Sequence, residues 1–237
     1  MIGELLPSWA VSAEAYGDPP QARLHPAEEA VIARAVPSRR REFTTVRHCA
    51  SLALGELGVP YVPLVPGERG APSWPAGVVG SMTHCRGYRA AVVARRGDAL
   101  ALGVDAEPDE PLPRGMLESV SLPRERERLH ALRALRADLC WDRLLFSAKE
   151  AVYKAWFPLT GRLLDFHEAD VLFDPVRYGF RATLLVPGPL VGGRELRAFE
   201  GRWTARRGLL ATAVALAQPA KATIRASSAR EVTPNLL

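Results

Sequence analysis

The stretch FSAKEAVYKAW, Phe146–Trp156, lies in a segment whose apolar residues recur at helical spacing. The apolar face of this segment consists of Trp141, Leu144, Leu145, Ala148, Val152, Ala155 and Trp156. Pro158 and Gly161 are expected to end the helix, because proline disfavours a continuing helix and glycine is common just past a helix end. The pattern therefore predicts a long amphipathic helix with one buried face.

The charged residues of this helix raise a question of chemistry. Of 31 basic residues in the chain, only Lys149, Lys154 and Lys221 are lysines, and the first two flank Glu150. Glu150 and Lys154 stand at i,i+4, the spacing of an ordinary surface ion pair. That pair does not account for Lys149, which points about 100° further round the helix. A compact ammonium suits a phosphate oxygen, so a surface pair and an anion site both remain open.

The N-terminal part of the chain predicts a similar unit. The first forty residues, rich in proline and acidic residues, are interpreted as a lead-in along the surface. A helix is expected to begin at Ser38 as N-cap and to end at Gly58. Strands GVVGSMTH, YRAAVVARR and ALALGVDAE follow, and the Gly97-Asp98 turn predicts a hairpin between the last two.

The C-terminal part repeats this order. A linker at Pro108–Arg114 and a charged helical stretch precede the long helix, and strands EADVLFD, YGFRATLLV, ELRAFEGRWTAR and GLLATAVALA follow it. The sequence thus predicts an α+β fold of two similar halves, each a helix packed on antiparallel strands. We expect the halves to span residues 1–108 and 109–218, and the polar tail 219–237 to be disordered.

Composition limits the class of protein. Hydrophobic content of 48% and charged content of 24% are ordinary for a globular chain, and no segment has the pattern of a membrane span or a targeting peptide. The three cysteines are widely spaced, which favours reduced thiols in a cytoplasmic protein over a zinc site. The net charge of +5 permits an anionic partner but equally serves solubility.

Two strand ends carry candidate site residues. In GVDAEP, Asp105 and Glu107 point to the same side of a strand, where two carboxylates repel unless a cation lies between them. Mg²⁺ prefers such oxygen ligands, although a solvated strand end is also consistent with the pattern. In GSMTHC, Ser81, Thr83 and His84 offer hydroxyls and an imidazole suited to phosphate contact, but His84 also suits a core or capping role, and the spacing of a nucleophile elbow is absent.

Arginines cluster at the start of the N-terminal helix, in RRREFTTVRH. Arg40 and Arg47 share one edge of that helix, and Arg39 lies near its N-terminus, where anions are favoured. The alternative is a solvated basic face, which is the usual fate of a charge run.

Taken in order, these stretches resemble a known family. A strand ending in G-x-D-x-E, followed further along by [F/W]-x-x-K-E-x-x-x-K, is similar to the signature of the 4′-phosphopantetheinyl transferases of the Sfp/EntD type, and most like the actinobacterial members. The matching residues are Gly103, Asp105, Glu107, Phe146, Lys149, Glu150 and Lys154. The resemblance extends from about Arg39 to about Ala217.

The resemblance implies a fold of two similar α+β halves related by a pseudo-twofold axis. It also implies transfer of the phosphopantetheine arm of coenzyme A to a serine hydroxyl of an acyl or peptidyl carrier protein, as in polyketide and nonribosomal peptide biosynthesis, with release of adenosine 3′,5′-bisphosphate.

By the same resemblance, each site residue has an expected role. Asp105, Glu107 and Glu150 would bind Mg²⁺, and Lys149 and Lys154 would add positive charge. Ser81 and His84 would contact phosphates of coenzyme A, and Arg39 and Arg47 its 3′-phosphate, with Arg40 a weaker candidate. Glu150 is also a candidate base. A basic residue is expected near Pro66, where this chain offers only Arg69.

Other classes of protein remain as alternatives. A Mg²⁺-dependent nuclease or phosphohydrolase could use the same carboxylates, but the sequence lacks the interleaved basic and aromatic residues of a nucleic-acid surface. A non-catalytic nucleotide- or carrier-binding module descended from the family is disfavoured, because Asp105, Glu107, Glu150 and Lys154 are all present. We expect a monomer, since two halves in one chain can build the site. For lack of such a surface, we expect no nucleic acid as partner.

Overall fold

The structure is a computed structural model that describes residues 1–219. Its α-helices are α1 Pro26–Val31, α2 Pro37–Glu56, α3 Met116–Val120, α4 Pro123–Leu135 and α5 Trp141–Thr160. Its strands are β1 Val11–Ala15, β2 Val78–Cys85, β3 Tyr88–Arg95, β4 Ala99–Pro108, β5 Ala169–Asp174, β6 Gly179–Leu184, β7 Leu190–Val191, β8 Arg194–Glu195, β9 Ala198–Arg206 and β10 Leu209–Ala217. Short 3₁₀ helices lie at Ile2–Leu5, Glu68–Gly70 and Phe166–Glu168.

Two antiparallel sheets each carry one 20-residue helix. Helix α2 packs on the three-stranded sheet, whose order is β1-β3-β2. Helix α5 packs on the five-stranded sheet, whose order is β4-β10-β9-β6-β5. This arrangement confirms the predicted α+β class with a helix on antiparallel strands in each part of the chain.

Both long helices begin and end close to the predicted points. Helix α2 begins at Pro37, so Ser38 lies in its first turn and the N-cap prediction is wrong; the cap is Val36. Proline is well suited to this position because its missing N–H would have no helical partner. At the other end, Gly58 has a positive φ of 70°, as expected just past a helix terminus.

Helix α5 buries the apolar face that its spacing predicts. Trp141 and Trp156, near its two ends, are fully buried in the larger hydrophobic core. Pro158 does not end the helix; it lies in the last turn, and Gly161 with φ 64° is the residue that caps it. A proline there removes one hydrogen bond at most where the helix is already ending.

Strand β4 departs from the predicted hairpin. It does not pair with β3; it pairs with β10, with Asp105 opposite Thr212. The Gly97-Asp98 turn therefore carries the chain from one sheet to the other. The division of the chain at residue 108 stays a proposal, and the strand just before it belongs to the larger sheet.

The facing edges of the two sheets are joined by hydroxyl groups. Ser81 Oγ of β2 accepts a hydrogen bond from the N–H of Val104 at 3.1 Å, and Thr83 Oγ1 accepts one from the N–H of Ala106 at 3.0 Å. Backbone donors of the β4 edge that have no strand partner on this side are thus satisfied by side chains. This contact sets β2 beside β4.

The lead-in contains more structure than its composition predicts. Its VSAEA segment forms strand β1, which pairs with β3. The predicted disordered tail lies outside the described residues, apart from Pro219. Within the described part of the chain, no helix is long and apolar enough to cross a membrane.

Candidate active site

The G-x-D-x-E motif of strand β4 and the K-E-x-x-x-K motif of helix α5 meet where the helix crosses the strand. Gly103 makes this approach possible: a Cβ at this position would lie 1.9 Å from the carbonyl oxygen of Ala151 and 2.8 Å from the nitrogen of Ala155. Gly103, Asp105 and Glu107 share one face of the strand, since alternate residues point the same way. The glycine of G-x-D-x-E therefore lets the helix backbone rest on the strand beside the two carboxylates.

Asp105 forms the centre of the charged group. Its Oδ1 accepts from Lys154 Nζ at 2.6 Å and from Thr83 Oγ1 at 3.3 Å. The side chain is 7% exposed, and its Oδ2 is buried without a hydrogen-bond partner. A buried unpartnered carboxylate oxygen is costly, so this atom has the environment of a ligand for a cation.

Glu107 lies against a cation that the motif does not include. Its Oε2 accepts from Arg143 Nη1 at 3.0 Å. Burial and the negative charge of Asp105 nevertheless raise the pKa of Glu107 to about 7, because together they outweigh the favourable effect of Arg143. The carboxylate is thus poised to lose its proton when more positive charge arrives.

Glu150 does not form the surface pair that its spacing would allow. Lys154 turns instead to Asp105 and to the carbonyl oxygen of Val104, 3.2 Å away. Burial raises the pKa of Glu150, the charge of Lys154 opposes this, and the charge of Asp105 adds to it. The solvated ion pair considered from the sequence is therefore not what this helix face contains.

The three carboxylates can serve an oxygen-preferring metal ion. Among residues 1–219, no three Asp, Glu, His or Cys side chains converge closely enough to form a complete ligand set. Mg²⁺ does not need one, since it is usually held by one or two carboxylates together with water and substrate phosphates. The free Oδ2 of Asp105 and the raised pKa values of Glu107 and Glu150 fit such an ion.

Beside these groups lies a cleft of about 860 Å³ lined by both parts of the chain. Its charged and polar lining includes Arg39, Arg47, Ser81, His84, Glu150 and Lys154. Asp105 and Glu107 do not line it; Asp105 is connected to it through Lys154. Its other walls are largely apolar, with Trp74 lying on Gly80 so closely that a Cβ there would come within 2.7 Å of the indole. A volume of this size suits a nucleotide-sized ligand.

Arg47 brings a buried positive charge to the cleft. Its guanidinium lies 3.5 Å from the centre of the Phe43 ring, and its Nη2 donates to the carbonyl oxygen of Leu64 at 3.3 Å. Its buried Nε has no partner. Burial lowers the pKa of Arg47 to about 10, which leaves the group charged at neutral pH and open to an anion.

Arg39 and His84 face each other across the same cleft. Arg39 Nη1 lies within hydrogen-bond distance of His84 Nε2, and Arg is always the donor in such a pair. Burial and the charge of Arg39 lower the pKa of His84. The imidazole is therefore neutral near pH 7, accepts at Nε2, and leaves the positive charge of Arg39 for a ligand. Arg40, by contrast, donates to the carbonyl oxygen of Ala33 and does not line the cleft.

Lys149 is the predicted site residue that the structure places elsewhere. It does not line the cleft, and its side chain is only 2% exposed. Its ammonium pairs with Glu125 at 2.8 Å, inside the protein. The helical step of about 100° that separates Lys149 from Glu150 turns it into the interior, so the arrangement does not support a phosphate contact by this residue.

Two residues have roles in the site that the sequence did not predict. Thr83, considered for phosphate contact, instead donates to Asp105, and Arg143 donates to Glu107. A signal for Arg143 was present, because Arg143, Glu150 and Lys154 follow one another at i,i+7 and i+11 and so share one stripe of the helix. Arg69, the cation that the sequence offers near Pro66, lines the cleft.

The chain matches two family models along most of its length. Residues 27–94 match the 4′-phosphopantetheinyl transferase N-terminal domain, and residues 101–189 match the 4′-phosphopantetheinyl transferase superfamily. Three curated proteins are similar over nearly the whole chain. The 4′-phosphopantetheinyl transferase Svp of Streptomyces mobaraensis is 62% identical over 93% of this chain and 91% of its own length.

Two further relatives cover most of the chain at about half identity. The 4′-phosphopantetheinyl transferase Npt of Nocardia iowensis is 51% identical over 92% of this chain and 100% of its own length. The 4′-phosphopantetheinyl transferase PptT of Mycobacterium tuberculosis is 50% identical over 86% of this chain and 91% of its own length. The chain belongs to the 4′-phosphopantetheinyl transferase superfamily and is a transferase of this class, which confirms the resemblance drawn from its two motifs.

Proposed function

We propose that this chain transfers the 4′-phosphopantetheine arm of coenzyme A to a serine hydroxyl of apo acyl or peptidyl carrier proteins. In this reaction the serine oxygen forms a bond to the β-phosphorus of the pyrophosphate. The bond from that phosphorus to the bridging oxygen breaks, adenosine 3′,5′-bisphosphate leaves with the electron pair, and the serine proton is released. The superfamily membership and the cleft beside three carboxylates support this assignment.

Asp105, Glu107 and Glu150 are the proposed Mg²⁺ ligands. When bound, the ion would neutralise charge on the pyrophosphate oxygens. Lys154 holds Asp105 in place and adds a positive charge at the edge of the cleft. Arg143 holds one oxygen of Glu107 and leaves the other free.

The basic side of the cleft is the proposed site for the phosphates of coenzyme A. Arg39 and Arg47 would bind the 3′-phosphate, because both guanidinium groups line the cleft and that of Arg47 has a free buried donor. Ser81 and His84 would contact the remaining phosphates. The apolar walls suit the uncharged part of the ligand.

The role of Glu150 is proposed as metal ligand first and as base second. Its raised pKa suits a base, but a bound cation lowers the basicity of the same carboxylate. A Glu150→Gln variant separates this account from one in which the residue is idle. Normal turnover at saturating Mg²⁺ would exclude both roles.

The setting of the reaction is proposed from the rest of the chain. The three cysteines are unpaired, in agreement with a reducing cytoplasmic compartment. A monomer is proposed because both parts of one chain line the cleft. The net charge of +5 would favour encounter with an acidic carrier protein.

The observation that carries the proposal is the junction of β4 and α5, where Lys154 and Asp105 meet beside the cleft. The direct test measures by chromatography how much adenosine 3′,5′-bisphosphate is released from coenzyme A. The assay is run with and without an apo carrier protein. Release that needs the carrier supports a transferase. Release with water alone would indicate a phosphohydrolase, and no release would indicate a non-catalytic module.

A further inference from the structure

The buried ion pair of Lys149 and Glu125 is not used by the site described above. The two side chains are 2% and 1% exposed, and Lys149 Nζ lies 2.8 Å from Glu125 Oε2. A buried charge pair of this kind needs every hydrogen-bonding group satisfied if it is not to cost free energy.

All three donors of the Lys149 ammonium are occupied inside the protein. Besides Glu125, it donates to the carbonyl oxygens of Phe166 and Ala169, the second at 3.0 Å. An ammonium group has three N–H donors and no acceptor. No donor is therefore left for a phosphate in the cleft.

Glu125 completes the same network from helix α4. Its Oε2 also accepts from the N–H of Leu122 and its Oε1 from the N–H of Val171, each at 2.7 Å. The pair thus ties α5 to the first turn of α4, to the 3₁₀ turn that follows α5, and to the start of β5. Its polarity is fixed, since backbone carbonyls surround the lysine and backbone N–H groups surround the glutamate.

We infer that Lys149 is a positioning residue: its ion pair with Glu125 fixes the rotation of α5 about its axis, so that Glu150 faces the cleft. Neighbouring residues on a helix diverge by about 100°, so an inward Lys149 determines the direction of Glu150. A displacement of about 1 Å in such a group can cost about 10²-fold in rate. The kinetic part of this inference rests on the proposed function.

The test uses Glu125→Gln, Lys149→Met and their combination, with Glu127→Gln as control. Glu127 is exposed on the same helix two residues further on. Three quantities are measured: the Kd of coenzyme A by calorimetry, kcat with an apo carrier protein, and the Tm. Glu125→Gln keeps the shape of the side chain, so this variant tests the inference even if Lys149→Met does not fold.

We expect both single variants to lower the Tm and to lower kcat by about 10- to 100-fold, with the Kd of coenzyme A unchanged within about twofold. The combined variant should lose little more than either single one, because the two residues act as a unit. The control should behave as wild type.

Two results would overturn the inference. A Kd that rises about tenfold in Lys149→Met but not in Glu125→Gln would make Lys149 a phosphate ligand. An unchanged kcat in folded variants with a lowered Tm would leave the pair a purely stabilising role. Absence of transfer by the wild-type chain would instead overturn the proposed function, so the two failures are distinguishable.

Discussion

Lys154 Nζ lies 2.6 Å from Asp105 Oδ1, and this contact joins helix α5 to strand β4 beside the cleft. The two residues come from the two motifs on which the resemblance to the family rests, 49 positions apart in sequence. Their meeting depends on Gly103, since any larger side chain there would hold the helix away from the strand.

Replacing Lys154 by Met should lower kcat by about 10²-fold, the usual effect of removing one preorganised positive group from a transition state. The loss would include the cost of leaving Asp105 without its partner. Steady-state kinetics with an apo carrier protein measure this change in kcat. Arg177→Gln, at a side chain 87% exposed, is the control for a lost charge. A kcat equal to that of the control would refute a role for Lys154.

Replacing Gly103 by Ala should destabilise the fold by about 1–3 kcal/mol, because the added Cβ would force α5 away from β4. Urea unfolding gives this free energy of unfolding. Gly97→Ala is the matched control, since a Cβ at Gly97 meets no atom within 4 Å. Equal stability of the two variants would mean that the helix moves aside without cost.

Mg²⁺ should bind more weakly below neutral pH. The pKa of Glu107 is raised to about 7, mainly by burial, so the carboxylate must lose its proton before it can bind the ion. Between pH 8 and pH 6 the Mg²⁺ concentration for half-maximal activity should rise about tenfold. An unchanged value would mean that Glu107 is not a ligand.

The same shift makes a prediction about stability without metal. Because the folded pKa lies above the unfolded value of 4.5, the folded state holds the proton more tightly. Stability in EDTA should therefore fall as pH rises from about 4.5 through about 7. Glu107→Gln should remove this part of the pH dependence, which thermal unfolding at several pH values would reveal.

Replacing Arg47 by Gln should raise the KM for coenzyme A by about 10- to 100-fold, the range expected for loss of a charged hydrogen bond. The KM for 3′-dephospho-coenzyme A should change little, because that substrate lacks the group that Arg47 is proposed to bind. Arg40→Gln, outside the cleft, is the control. Equal effects on both substrates would place Arg47 at another phosphate.

Carrier recognition should depend on salt more than coenzyme A binding does. The chain carries a net charge of +5, and long-range steering of an acidic partner is screened as ionic strength rises. The KM for the carrier is therefore expected to increase more steeply with salt than the KM for coenzyme A. Parallel increases would contradict a steering role for the charge.

The sequence predicted the elements of this fold better than their pairing. Apolar spacing located α2 and α5, and the strand patterns located β2, β3 and β4 and the main strands after α5, but missed β1 in the lead-in. The Gly97-Asp98 pair indicated a turn correctly, but a turn does not say which strand its neighbour pairs with. Strand β4 pairs with β10, whose paired residues lie 101 to 118 positions further along the chain and which no local signal marks.

The site was predictable where one face of an element decided the outcome. Asp105 and Glu107 share a strand face, and Glu150 and Lys154 share a helix face. Lys149 could not be placed in this way, because helical spacing gives the angle between residues but not which side another helix covers. Glu125 supplies that cover, and its role as partner appears only once α4 is packed on α5.

The most direct measurement is the intact mass of an apo acyl carrier protein after incubation with this protein, coenzyme A and Mg²⁺, with EDTA as control. We predict the mass of one added phosphopantetheine group on a serine, lost in EDTA. Unmodified carriers with coenzyme A still bound would contradict the proposed transfer. Modification that persists in EDTA would contradict the metal role of Asp105, Glu107 and Glu150.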